Sequence, residues 1–162
     1  MGTKGKEIVN LKTEEVVRLL NKAYADEWFA YYQYWVGAKV VKGPMRPAVV
    51  QELEEHAADE LKHATKIVDR IIQLGGRPLL KPADWASQAN CPYIAPSNEH
   101  VVKVLEQNIK GEQCAIEVYN KLLQYLEGKD TLTYHMVLEI LEDEVEHEED
   151  LETILEDIKL CK

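Results

Sequence analysis

Apolar residues recur in steps of three and four over four long stretches of the chain. The main breaks, at Gly43-Pro44, Pro47, Gly75-Gly76, Pro78 to Pro96 and Gly128, fall between these stretches. This periodicity places apolar side chains on one face of an α-helix. It predicts helices over about 13–42, 47–74, 98–127 and 131–160. Start signals agree: Thr13 followed by Glu14 and Glu15, Pro47 in a first turn, Ser97 as an N-cap, and Asp130 or Thr131 as the last cap. Each helix is about 42–45 Å long at 1.5 Å per residue. β-Branched residues never alternate with polar ones for long, so the expected class is all-α.

Helices one and two are joined by a few residues, as are three and four, and short links make antiparallel neighbours. Residues 75–97 form one long link with Trp85 and Pro-rich flanks, and 82–89 can form a short helix within it. That length spans the bundle and pairs two hairpins. The expectation is a single domain over 1–162, a four-helix bundle with one long crossover.

The four seams read Val17, Leu20, Tyr24, Glu27, Tyr31, Tyr34, Ala38, Val41; Val50, Leu53, Ala57, Glu60, Ala64, Ile67, Ile71, Leu74; Val102, Leu105, Ile109, Glu112, Ile116, Tyr119, Leu123, Leu126; and Val137, Ile140, Glu144, His147, Leu151, Ile154, Ile158. Each contains one acidic residue, a Glu near the midpoint of its helix. In a bundle of equal antiparallel helices the midpoints share one height, so four carboxylates converge in the core. Bare, such a cluster is untenable, because burial and like charge both penalise ionised carboxylates. Two divalent ions carry the charge that balances it. His63 and His147 each follow their Glu by three residues, on the same helix face. One Glu from each of two helices with Glu-x-x-His from the other two is the ligand set of a di-iron or di-manganese carboxylate centre. Oxygen and imidazole donors suit two Fe ions per subunit, with Mn or Zn as competitors. His56 shares a face with Glu52 and Glu60 and reads as a supporting or surface residue. Asp59 and Asp143 lie off the seams, in the supporting shell or solvent.

Hydrophobic residues make up 46% of the chain, too many for a disordered segment. No apolar run approaches the ~18 residues of a membrane span. The opening Met1–Lys6 has no apolar stretch behind it and does not read as a secretory signal. The net charge of −10 argues against DNA binding, which needs a basic patch, and favours attraction of cations. Three cysteines do not make a disulfide scaffold, so the expected compartment is cytoplasmic. Cys161 reads as a free thiol or an intermolecular link under oxidation.

With these residues the chain resembles the ferritin-like superfamily over most of its length. Asp59-Glu60-Leu61-Lys62-His63-Ala64 and Ile140-Leu141-Glu142-Asp143-Glu144-Val145-Glu146-His147 are similar to the ligand motifs of bacterioferritins. The resemblance implies that Glu27, Glu60, His63, Glu112, Glu144 and His147 are catalytic metal ligands, with Glu60 and Glu144 as bridges. Tyr34 matches a tyrosine near the bacterioferritin site and stands as a radical-relay candidate, or as core packing. Leu61 replaces the methionine that holds haem, so no haem is expected. The chain ends 15 residues after His147, without the fifth helix of the large shells. These features resemble the archaeal Dps-like proteins called thioferritins. That likeness implies a dodecameric homo-oligomeric shell and a redox or disulfide pair of Cys91 and Cys114.

The expected activity is oxidation of Fe(II) by hydrogen peroxide, with mineral storage and protection from oxidative stress. The alternatives are a bacterioferritin-like ferroxidase using oxygen and a rubrerythrin- or manganese-catalase-like peroxide scavenger.

Overall fold

The computed structural model describes residues 3–160. Cys161 and the first two residues of Met1–Lys6 lie outside the described residues. The helices are α1 (Thr3–Glu7), α2 (Thr13–Val40), α3 (Arg46–Gln73), α4 (Trp85–Gln88), α5 (Val101–Leu126) and α6 (Thr131–Leu160). A 3-10 turn at Pro82–Asp84 leads into α4. No strand is present among the described residues, so the protein is all-α as the seams imply.

The long helices pack as α2 on α3 and α5 on α6, with α3–α6 and α2–α5 contacts closing the ring. The seams form two apolar cores. One joins Val16, Leu20, Ile67, Ile71, Tyr119, Leu123, Val137 and Ile140. The other joins Tyr34, Ala38, Leu53, Ala57, Val101, Leu105, Leu151 and Ile158. The chain order of these residues shows that α2 and α6 run one way and α3 and α5 the other. The crossover therefore travels the full height of the bundle to start α5 beside the end of α2.

Three polar side chains of α2 hold the crossover along that path. The Asn21 amide donates to the Arg77 carbonyl and accepts from the Leu79 N–H at 3.0 and 2.8 Å. Asp26 accepts from the Asn90 and Cys91 N–H groups at 2.7 and 2.8 Å. Gln33 accepts from the Ile94 N–H at 3.2 Å. At the top, the Lys42 N–H donates to Glu99 and the Val101 N–H to Lys42, at 2.7 and 2.8 Å. Gly76 lets this path begin, since a Cβ there would stand 2.5 Å from the Val17 side chain.

Some boundaries differ from the sequence expectation. Ser97 is not the cap of α5. The bridge between Lys42 and His100 keeps His100 in extended chain, and His100 caps the helix by accepting from the Val102 N–H at 3.3 Å. Thr13 begins α2 without acting as a side-chain cap. Asp130 caps α6, accepting from the Thr133 N–H at 3.1 Å. The seams slip by one residue towards four helix ends, where Val16, Val49, Val101 and Leu155 are buried in place of Val17, Val50, Val102 and Ile154. A 3.6-residue helix drifts by about 20° per heptad against a 3.5-residue seam, so the error grows away from the midpoint.

Candidate metal centre

Between the two apolar cores lies a polar layer, with one residue from each of α2 and α5 and two from each of α3 and α6. Glu27, Glu60, His63, Glu112, Glu144 and His147 are all buried there, at 4% exposure or less. All six sequence-derived site residues are thus brought together. Their atoms form two overlapping groups, Glu27–Glu60–His63–Glu144 and Glu60–Glu112–Glu144–His147, each within 4.8 Å. Glu60 and Glu144 belong to both, and so sit between two positions able to hold an ion.

Two of the carboxylates are anchored from one side by a tyrosine and open on the other. Tyr34 donates its hydroxyl to Glu112 Oε1, and Tyr119 donates to Glu27 Oε1. The other oxygens, Glu112 Oε2 and Glu27 Oε2, are buried without a hydrogen-bond partner among the described residues. Glu60 Oε1, Glu144 Oε1 and His147 Nδ1 are orphaned likewise. His63 Nδ1 lies 3.3–3.4 Å from Glu27, Glu60 and Glu144, while its Nε2 meets Asp143 at 2.9 Å. His147 Nε2 faces Asp59 at 3.7 Å. Both rings therefore turn Nδ1 inward, and the hydrogen bond from His63 Nε2 to Asp143 is the contact that fixes a metal-binding imidazole. Buried polar atoms are rarely left unpaired. Five in one layer, each converging on the same small volume, fit a pair of cations that the donor set of four carboxylates and two imidazoles would hold.

The electrostatics lead the same way. Burial, then Glu60, pushes the Glu27 carboxyl well above its usual range. Burial, then Glu144, does the same to Glu112. Burial opposes charge on His63, but Glu144, Glu27 and Glu60 outweigh it and raise its pKa. For His147 burial is again outweighed, by Glu144 and Glu60, and the pKa rises to about 10. Burial opposes ionisation of Glu144, but His147 and His63 pull it below the ordinary range. Protons thus stand in the layer where cations would otherwise balance it. Tyr34 and Tyr119 are raised by burial and then by Glu112 and Glu27, so both remain O–H donors.

Tyr34 touches Glu112 rather than its own helix's Glu27. Tyr119, a seam residue, follows Glu112 by seven residues as Tyr34 follows Glu27, a repeat that marks it as a partner of the layer. Asp26 was missed because an acidic residue beside Glu27 resembles solvated charge. Burial raises its pKa to about 6, against donors from Cys91 and Asn90. Asp59 and Asp143 occupy the supporting shell. His56 is not a surface residue: it is buried and stacks on His147 with ring centroids 4.0 Å apart. Burial, then His147, lowers its pKa to about 4.

Cys91 and Cys114 form a disulfide, with Cα atoms 6.1 Å apart. Cys114 points away from the seam and meets the crossover where Asp26 holds it. Cys91, Phe29 and Gln33 line a cavity between α2, α5 and the crossover that reaches Glu27 and Glu112. Trp85 of α4 stacks on Trp28 of α2 at 5.2 Å, covering the same side. No described helix is long and apolar enough to cross a membrane.

Comparison with known proteins agrees with this architecture. The family profile described as "Ferritin-like domain" matches residues 17–161. The "DNA protection during starvation protein" of Pyrococcus furiosus is 33% identical over 92% of this chain and 81% of its own. The bacterioferritin of Rhodobacter capsulatus is 28% identical over 86% of this chain and 81% of its own. The structure of a dodecameric thioferritin, the bacterioferritin-related protein of Bacteroides fragilis, superimposes with a TM-score of 0.96. It is 42% identical, covering 99% of this chain and 96% of that one.

Proposed function

The chain belongs to the family of ferritin-like domains, and from that premise we propose that it is a Dps-like di-iron ferroxidase. It oxidises Fe(II) with hydrogen peroxide and retains the product as mineral. The observation that carries this reading is the layer of five orphaned inward atoms, with Glu60 and Glu144 shared between two ion positions. Glu27, His63, Glu112 and His147 are the terminal ligands.

Iron is the substrate here. Two Fe(II) supply one electron each, so one peroxide and two protons become two waters and no hydroxyl radical is released. The protein residues divide the remaining work. Tyr34 and Tyr119 fix one oxygen of Glu112 and Glu27 and leave the second free. Asp143 sets the ring orientation of His63, and stacking on His56 holds the ring of His147. The apolar cores above and below exclude bulk water. The cavity beside Cys91 gives a small oxidant a route to Glu27 and Glu112. Tyr34, a hydroxyl in contact with Glu112, is placed to quench a stray radical.

The likeness to the Bacteroides fragilis thioferritin supports a homo-oligomeric shell of twelve chains. Light scattering is then expected at twelve times 18.6 kDa. A monomer or dimer would rule out storage. The bacterioferritin relative supports a second reading, in which oxygen is the oxidant. Stopped-flow oxidation of anaerobically loaded Fe(II) separates the two. The peroxide reading predicts one peroxide consumed per two Fe(II), faster than with oxygen, and loss of the fast phase when Glu60→Ala and Glu144→Ala are combined. Fast oxidation unchanged in that variant would contradict the assignment.

A further inference from the structure

A second set of convergent ligand atoms lies outside the buried layer, one helical turn away. Glu52 and His56 of α3 and Asp150 of α6 bring two carboxylate oxygens and one ring nitrogen within 4.8 Å of one another. His56 Nε2 is 3.1 Å from Glu52 Oε1 and 3.8 Å from Asp150 Oδ2. The His56 residue is only 2% exposed, yet neither ring nitrogen has a hydrogen-bond partner among the described residues. A buried imidazole left unsatisfied on both nitrogens is unfavourable as mere packing. Its orientation is not free either. One face stacks on His147 and the edge of Tyr34 meets it at 5.2 Å, which keeps Nε2 turned toward the two carboxylates.

The surroundings select for a cation. Glu52 is half-buried and the Asp150 side chain is 46% exposed, so the group opens to solvent. The depression it lines also carries Glu55, Asp59, Asp143 and Glu146, with Lys62 as the single Lys or Arg among its lining residues. Lys62 is already engaged by Asp59 at 2.5 Å. A concave surface of one charge sign raises the local concentration of counter-ions. None of the three residues is a ligand of the dinuclear layer, so both sites can be filled together.

We propose that Glu52, His56 and Asp150 form a separate, mononuclear site for a divalent first-row transition-metal ion. One imidazole with two carboxylates favours Fe(II), Mn(II) or Zn(II) over Mg(II) or Ca(II), which prefer oxygen alone, and over ions that select thiolates. The site captures ions at the acidic α3–α6 face before or after they occupy the buried layer. It goes beyond the ferroxidase reading and does not depend on it.

Zinc serves as a redox-inert probe. Crystals of the full chain soaked in Zn(II) are expected to show an anomalous peak at the zinc edge bounded by Glu52, His56 and Asp150. The double variant E52Q/D150N alters two partly exposed side chains, and its crystals are expected to lose this peak while keeping those among Glu27, Glu60, Glu112 and Glu144. Zinc in the buried layer but not beside His56 would overturn the proposal. So would a peak that survives in E52Q/D150N, because the neighbouring acids would then be holding the ion. Zinc beside His56 alone would sustain this site and overturn the dinuclear one, and zinc at neither would overturn both.

Discussion

Two tyrosines cross over between helices at the centre of the molecule. Tyr34 of α2 holds Glu112 of α5, and Tyr119 of α5 holds Glu27 of α2. Replacing either with Phe leaves a buried carboxylate oxygen unpaired, a cost of about 1–3 kcal/mol to the metal-free protein. It also frees a ligand that should be held still, which typically weakens metal binding by about 10–100-fold. Chemical denaturation and metal titration of Tyr34→Phe and Tyr119→Phe test both effects. Protons give a second prediction. The raised pKa values of Glu27, Glu112, His63 and His147 keep protons in the metal-free layer. Cations must displace them, so metal uptake releases protons and affinity rises with pH, as a pH-stat would record. Stability follows the linked sign. His147 rises from 6.5 to about 10 on folding, so its contribution is full below 6.5 and lost as pH climbs through 10. The metal-free protein should therefore melt at lower temperature as pH rises across that window. The four Glu residues were legible because each breaks an apolar seam at a helix midpoint, and the two His residues because each follows its Glu by three positions. The tyrosines themselves repeat seven residues after Glu27 and Glu112, but which Glu each one holds was not legible, because a cross-helix hydrogen bond depends on helix rotation that spacing along one helix does not encode.

Among the elements, the crossover depends most on individual side chains. Asp26 accepts from the Asn90 and Cys91 N–H groups and from the Asn90 amide at 2.6 Å. Asp26→Ala orphans these donors, with an expected cost of about 3 kcal/mol, and uncovers the cavity beside Glu27. The Cys91–Cys114 disulfide, which spans 23 residues, should contribute about 2–4 kcal/mol by restricting the unfolded chain. Comparing the melting of Cys114→Ser with that of the oxidised parent tests this. A third tie joins the end of α3 to the start of α6. Arg70 donates to both Asp130 oxygens at 2.9 and 3.1 Å and to Thr133 at 2.7 Å, all buried. Arg70→Met strands the Asp130 charge and should cost about 3–5 kcal/mol in urea unfolding. Helix count, order and the crossover could be read from Pro, Gly and apolar spacing. The start of α5 could not, because it is fixed by backbone pairing of residues 99–101 with Lys42, a contact between segments distant in sequence. The short α1 carries no buried residue and so left no apolar signature.

At the scale of the whole molecule, a charged layer is sandwiched between two apolar cores. Each core is built from all four long helices, so the layer cannot collapse without displacing both. The net charge of −10 divides accordingly. Most of the acid faces solvent, with a concentration beside α3 and α6, and four carboxylates form the layer. A net charge of that sign repels a polyanion, and a gel shift at low salt is expected to show no tight binding of DNA. In that layer two ions would share Glu60 and Glu144. Electron paramagnetic resonance of the anaerobic chain loaded with Mn(II) tests it most directly. A shared pair gives the spectrum of spin-coupled ions, replaced by isolated-ion signals when Glu60→Ala and Glu144→Ala are combined. Isolated Mn(II) in the unaltered chain at every loading would contradict it.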